Sequence, residues 1–116
     1  MPTPDESPDA ADPHTAAATA FVRRAEALAG LESLILFGST ARGEASGLDS
    51  DVDFLAVVAD DADPSALEAE LRDLAYDVML EHGPVVEVHV LTQSVFEERR
   101  DHPFVRQAVR DGEVYV

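Results

Sequence analysis

The chain contains no cysteine. That excludes a disulfide framework, a thiolate metal site and a cysteine nucleophile. Lysine is missing too: all eight basic residues are arginine, set against 24 acids for a formal net charge of −16. No apolar run approaches the roughly 18 residues of a membrane span. The opening stretch "MPTPDESPDAADP" is acidic and Pro-rich, the opposite of a signal peptide's basic and then apolar start. A soluble cytoplasmic protein is the expectation.

The acids run throughout the chain and are not confined to a tail. At low salt such self-repulsion strains a compact state; at molar salt the Debye length shrinks to about 3 Å and most of the penalty disappears. A halophilic protein of a high-salt cytoplasm fits this balance. An ordinary acidic domain is the plain alternative, and the missing lysine weighs against it. It also weighs against a hyperthermophile, where lysine and glutamate rise together. Direct nucleic-acid binding is not expected, because it depends on cationic side chains neutralising phosphates.

With 116 residues, 46% of them apolar, the chain has material for one core. Residues 1–13 read as a disordered acidic tail, and residues 14–116 as one domain. From His14 the pattern is helical, with Phe21, Ala25 and Leu28 on one stripe and Gly30 as a stop. "SLILF" (Ser33–Phe37) and "DVDFLAVV" (Asp51–Val58) are apolar strands. Asp63-Pro64 has the form of an N-cap followed by proline at the first helical position. Leu67, Leu71, Leu74 and Val78 continue that helix to Gly83-Pro84. "VVEVHVL" (Val85–Leu91) is a third strand. Short helices are expected at Ser94–Arg100 and Pro103–Asp111, and a small edge strand at "GEVYV". The fold class is α/β (α+β): a small mixed sheet of three to four strands flanked by helices.

Against these apolar strands stand three acids, Asp51, Asp53 and Glu87. Residues two apart on a strand share a face, so Asp51 joins Asp53, and Glu87 joins His89. If the two strands are neighbours, three carboxylates converge. Such a cluster repels itself unless a cation lies within it. Mg²⁺, held by one or two carboxylates plus substrate phosphates, suits the set, and two bridged ions would make a two-metal phosphoryl-transfer site. Gly38-Ser39, directly after "LILF", lets the backbone approach a phosphate closely and supplies a hydroxyl donor. Arg42 adds a fixed positive charge.

"LFGSTARGEASGLDSDVDFLAV" resembles the signature of the minimal nucleotidyltransferase (MNT) domain of the polymerase-beta-like nucleotidyltransferase superfamily: Gly-Ser, a loop, then Asp-x-Asp, with a third acid on a later strand. The resemblance spans about residues 34–91, and "ERRDHPFVRQAVRDGEVYV" is similar to that family's ending. It implies the nucleotidyltransferase fold, Gly38 and Ser39 as the phosphate-binding pair, Asp51 and Asp53 as metal carboxylates, and Glu87 as the third acid and base. It further implies Mg²⁺, ATP or another NTP as substrate, and a helical HEPN toxin as partner, the chain being the antitoxin that transfers AMP to it. Two departures stand out. Eleven residues separate Ser39 from Asp51, one more than usual, which a surface loop absorbs. The third acid is glutamate where aspartate is more common, and misplacing a catalytic group by about 1 Å costs on the order of 100-fold in rate.

Each residue also has a plainer role. Asp51 and Asp53 could form a turn cluster, Glu87 could be a charge protecting an edge strand, and Arg42 could be a surface residue. Asp49 reads as loop-shaping, and His89 as supporting or partly buried. At the level of function, an active transferase to a partner protein stands beside a binding module that neutralises its partner by occlusion. Transfer to a small molecule is a weaker third reading, since the chain has no evident acceptor domain.

Overall fold

The structure, a computed structural model, describes residues 13–38 and 51–115. Residues 1–12 of the expected 1–13 tail and the segment 39–50, with Ser39, Arg42 and Asp49, lie outside the described residues, whereas Pro13 belongs to the first helix.

The chain runs α1 (Pro13–Ala25), β1 (Leu31–Phe37), β2 (Val52–Val58), α2 (Pro64–His82), β3 (Val86–Thr92), α3 (Gln93–Glu98), α4 (Pro103–Asp111) and β4 (Glu113–Val114). The four strands form one mixed sheet in the order β3-β2-β1-β4. β1 pairs antiparallel with β2 and with β4. β2 and β3 are parallel, which requires a long crossover, and α2 supplies it. No helix among the described residues is long and apolar enough to cross a membrane.

Strand β2 lies at the centre, and every residue in it except Asp53 is buried. One face of the sheet packs under α1 and α2. Val52, Phe54, Ala56, Val86 and Val88 there join Phe21, Leu71 and Val78 in the main core. The Phe21 and Phe54 rings lie 4.9 Å apart at 39°, a contact worth about 0.5–1.5 kcal/mol beyond area burial. The other face carries a smaller cluster of Ile35, Leu55 and Ala108, with Phe37, Leu91, Phe96 and Phe104 packed against it. Its cover comes from α3 and α4. The acids belong to this second face, where the covering is thinner.

Local signals act as the sequence predicts at α2. The Asp63 carboxylate accepts from the backbone N–H groups of Ser65 and Ala66 at 3.1 and 3.2 Å. At the other end the Gly83 N–H donates to the Met79 carbonyl at 2.8 Å. In the expected stripe Leu67, Leu71 and Val78 are buried, while Leu74 packs at the core margin. Boundaries differ from expectation by one or two residues at the start of α1 and at β2, β3 and α3, and most of all around Gly30. Helix α1 stops at Ala25, short of Gly30, and β1 begins at Leu31, ahead of Ser33. Pairing explains both: Leu31 sits opposite Val58, and the Gly30 carbonyl accepts from the Ala59 N–H at 2.8 Å. The sheet thus claims the residues up to Gly30. The edge strand expected at "GEVYV" forms over Glu113–Val114, with Val114 opposite Ile35.

Gly112, between α4 and β4, is where helix and sheet meet most closely. A Cβ there would lie 2.4 Å from the Ala108 carbonyl oxygen and 2.6 Å from that of Leu36. Neither backbone group can yield without moving α4. Gly112→Ala is therefore expected to lower stability by about 1–3 kcal/mol, the usual cost of overpacking. Denaturant titration checks it; an unchanged midpoint would show that α4 is not held at this point.

Candidate active site

Three strand ends build the site. β1 ends at Phe37, which pairs with Asp53 of β2. Asp53 pairs on its other side with Glu87 of β3. The two carboxylates are thus neighbours across one parallel rung, on the same face. His89, two residues beyond Glu87, shares that face. One ligand atom from each of Asp53, Glu87 and His89 lies within 4.8 Å of the others. Asp53 is half-buried, whereas Glu87 and His89 are exposed. Asp51 lies one residue before β2, outside this set but close enough for its charge to act on Asp53.

Burial pushes the Asp53 carboxyl up to about 6. The charges of Glu87 and Asp51 and a side-chain hydrogen bond with Glu87 push the same way, while His89 pulls it down. This is the signature of crowded acids without enough counter-charge. A divalent cation among them would offset the repulsion of the acids and favour the ionised Asp53. The donors suit one: two carboxylates and an imidazole converge from adjacent strands. Oxygen ligands favour Mg²⁺, and the imidazole also admits Mn²⁺.

His89 is held by aromatic neighbours. Its ring centroid is 5.1 Å from Phe104 and 6.0 Å from Phe37, and those two phenyl rings meet edge-on at 5.2 Å. Helix α4 therefore reaches the acid cluster through Phe104. Sequence reasoning placed His89 in a supporting role, whereas the structure sets it beside Asp53 and Glu87. The available signal was its position two residues from Glu87.

Gly38 follows β1 with φ +79°, a left-handed conformation that L side chains rarely adopt. A Cβ there would stand 2.8 Å from Oδ2 of Asp53. The glycine thus lets the chain leave β1 directly over the carboxylate, bringing the Gly-Ser turn to the acids. Of the sequence-predicted residues, Gly38, Asp51, Asp53 and Glu87 gather at one sheet end. Ser39 and Arg42 lie outside the described residues.

Two outcomes follow. Gly38→Ala is expected to displace Asp53, weakening Mn²⁺ binding about tenfold or more and lowering stability by about 1 kcal/mol. Calorimetric titration measures the first, and binding equal to the parent would contradict the close approach. Because the folded-state pKa of Asp53 is raised from 3.8 to about 6, its favourable contribution is full below 3.8 and is lost as pH rises through about 6. Without divalent ions, Asp53→Asn should then melt above the parent at pH 8, with the gain shrinking toward pH 4. Thermal melts at fixed high salt test this, and a gain that grows at low pH would contradict it.

No curated protein matches the chain. Among solved structures, a chain of a toxin–antitoxin complex crystallised with AMP-PNP aligns with a TM-score of 0.53 at 20% identity, over 85% of this chain and 69% of that one. Another, from the tri-AMPylated HEPN toxin of Shewanella oneidensis in complex with MNT antitoxin, aligns at 0.46 and 20% identity, over 88% and 67%. Residues 19–115 match the family described as nucleotidyltransferase domain. That span runs from within α1 to just past β4 and takes in the whole acid cluster, so the chain belongs to the nucleotidyltransferase domain family.

Proposed function

We propose that the protein is a Mg²⁺-dependent nucleotidyltransferase that moves AMP from ATP to a hydroxyl of a partner protein, as the antitoxin of a HEPN/MNT pair. One observation carries this reading: Asp53 and Glu87 stand on the same rung of adjacent strands, with Gly38 turning the chain directly over Asp53. The likeness to a toxin–antitoxin structure crystallised with AMP-PNP supports the nucleotide and the kind of partner.

In this reading Asp51, Asp53 and Glu87 hold the metal, two ions in the full site, and His89 flanks them. Gly38 and Ser39 grip the triphosphate, and Arg42 supplies a cation to it. The metal, when bound, neutralises phosphate charge and orients the donor. Glu87 takes the proton from the acceptor hydroxyl. The acceptor oxygen then bonds to the α-phosphorus, the bond from that phosphorus to the bridging oxygen breaks, and pyrophosphate leaves with the electron pair. Catalysis is mainly positioning and charge neutralisation.

Occlusion is the second reading. Tyr76, Leu80 and Val85 are large apolar residues left exposed, and a partner covering them could be neutralised without chemistry. Incubation with α-labelled ATP, Mg²⁺ and the co-purifying partner separates the two. Transfer is expected to fall at least about 100-fold in the Asp51→Ala/Asp53→Ala variant. Label that persists there sinks the enzymatic reading. Full neutralisation by that unlabelled variant would favour occlusion.

A further inference from the structure

Strand β3 is an edge of the sheet. The Val52 N–H donates to the Val85 carbonyl at 2.8 Å, and Val52 pairs with Val86. In a parallel ladder this register turns the backbone groups of Glu87, His89 and Leu91 toward β2 and those of Val86, Val88 and Val90 outward. No hydrogen bond among the described residues engages these outward groups. Two hollows lie along this edge, of about 390 and 300 Å³, and they share Arg72, Val88 and His89. They are lined from both faces of the sheet at once, so together they form a trough whose floor is the edge itself. Tyr76 and Met79 of α2 wall one end, and Arg99 and Phe104 the other.

Charge narrows the occupant. In a chain of net charge −16, the trough itself is balanced: Arg72 and Arg99 line it together with Glu68 and Glu87. Arg72 is paired with Glu68 at 2.7 Å, and exposed Arg99 stands at the far end. A second copy of this chain would bring a further −16 against the first. The chain's own segment 1–12 has prolines at 2, 4 and 8, which lack the N–H that pairing needs.

We propose that the acceptor docks by strand addition: an extended segment of the partner protein pairs with the open edge of β3 and places its hydroxyl-bearing residue opposite Glu87. This rests on the transferase reading above and specifies how its acceptor is held. An added strand lies about 4.8 Å from its neighbour, and residues directly opposite share a face. A side chain opposite Glu87 therefore projects on the face that carries Asp53 and Glu87. Main-chain pairing gives affinity with little demand on sequence, while the register selects which hydroxyl is presented.

Blocked nine-residue peptides test this, with alternating valine and glutamine and one central serine, threonine or tyrosine. Each is mixed with the full chain, α-labelled ATP and Mg²⁺, and amide exchange is followed residue by residue. Exchange at Val88 and Val90 is expected to slow about tenfold or more with a peptide bound. Val90→Pro removes one outward donor at an edge position that tolerates proline and should weaken peptide binding about five- to tenfold. Tyr76→Ser, at an exposed helix position, should also weaken it and leave the melt unchanged. Slowed exchange without label supports the docking and counts against transfer alone. Label without slowed exchange overturns the docking, as does no slowing with any peptide. Slow exchange already present in the isolated chain, whether dependent on protein concentration or lost when residues 1–12 are removed, assigns the edge to a second copy or to the chain's own start and overturns it as well.

Discussion

The register between β2 and β3 is the constraint on which the site depends. Val52 lies opposite Val86, Asp53 opposite Glu87 and Phe54 opposite Val88. Because the side-chain period of a strand is two, a slip of β3 by one residue would carry Glu87 and His89 into the helix-covered core and Val86 and Val88 out of it. The register is held from the apolar side. Val52, Phe54, Ala56, Val86 and Val88 fill one cluster with α1 and α2, and burying each such side chain contributes about 1.5–3 kcal/mol. Two carboxylates are forced together on the opposite face as a consequence. Packing therefore supplies the energy that sets Asp53 against Glu87, and burial, together with that crowding, raises the Asp53 pKa.

That crowding is tolerable because the second face is only partly covered. Asp53 is half-buried and Glu87 exposed, so water and ions still reach them. Helix α4 closes the face as far as the Phe104 ring, which meets Phe37 and His89, and stops there. A fuller cover would raise the desolvation cost of the acids; a thinner one would leave the His89 ring without its aromatic support. Gly112 fixes where α4 lies and Gly38 fixes where β1 ends. Two glycines, far apart in sequence, thus hold the two walls of one site.

Much of this was legible in the residues. The apolar runs gave all three principal strands, the Asp63-Pro64 pair gave the start of α2, and the period of two put Asp53 and Glu87 on faces that could meet. The adjacency of β2 and β3 was a condition that sequence could state but not establish, since strand order is a long-range property. The end of α1 was misplaced because local helical spacing extends to Leu28, while the pairing of Leu31 with Val58 wins those residues for the turn. His89 was undervalued because its approach to Asp53 depends on that same adjacency, and its orientation depends on Phe104 from a helix that follows. Nothing in the sequence joins Arg72 to Arg99; only the open edge of β3 brings them to one trough.

The charge of the whole chain and the charge of the site act at different ranges. A net −16 repels free nucleotide triphosphate at low salt and attracts cations to the same acids. In molar salt that long-range field is screened within about 3 Å. The ligand atoms of Asp53, Glu87 and His89 lie within 4.8 Å of one another, and the half-buried Asp53 carboxylate is screened less than the exposed surface acids. Salt therefore removes the barrier to an anionic substrate while leaving the local demand for a cation largely in place. An acidic surface and an acidic site are then compatible in one small domain, provided that the metal, alone or already on the nucleotide, is what the site receives.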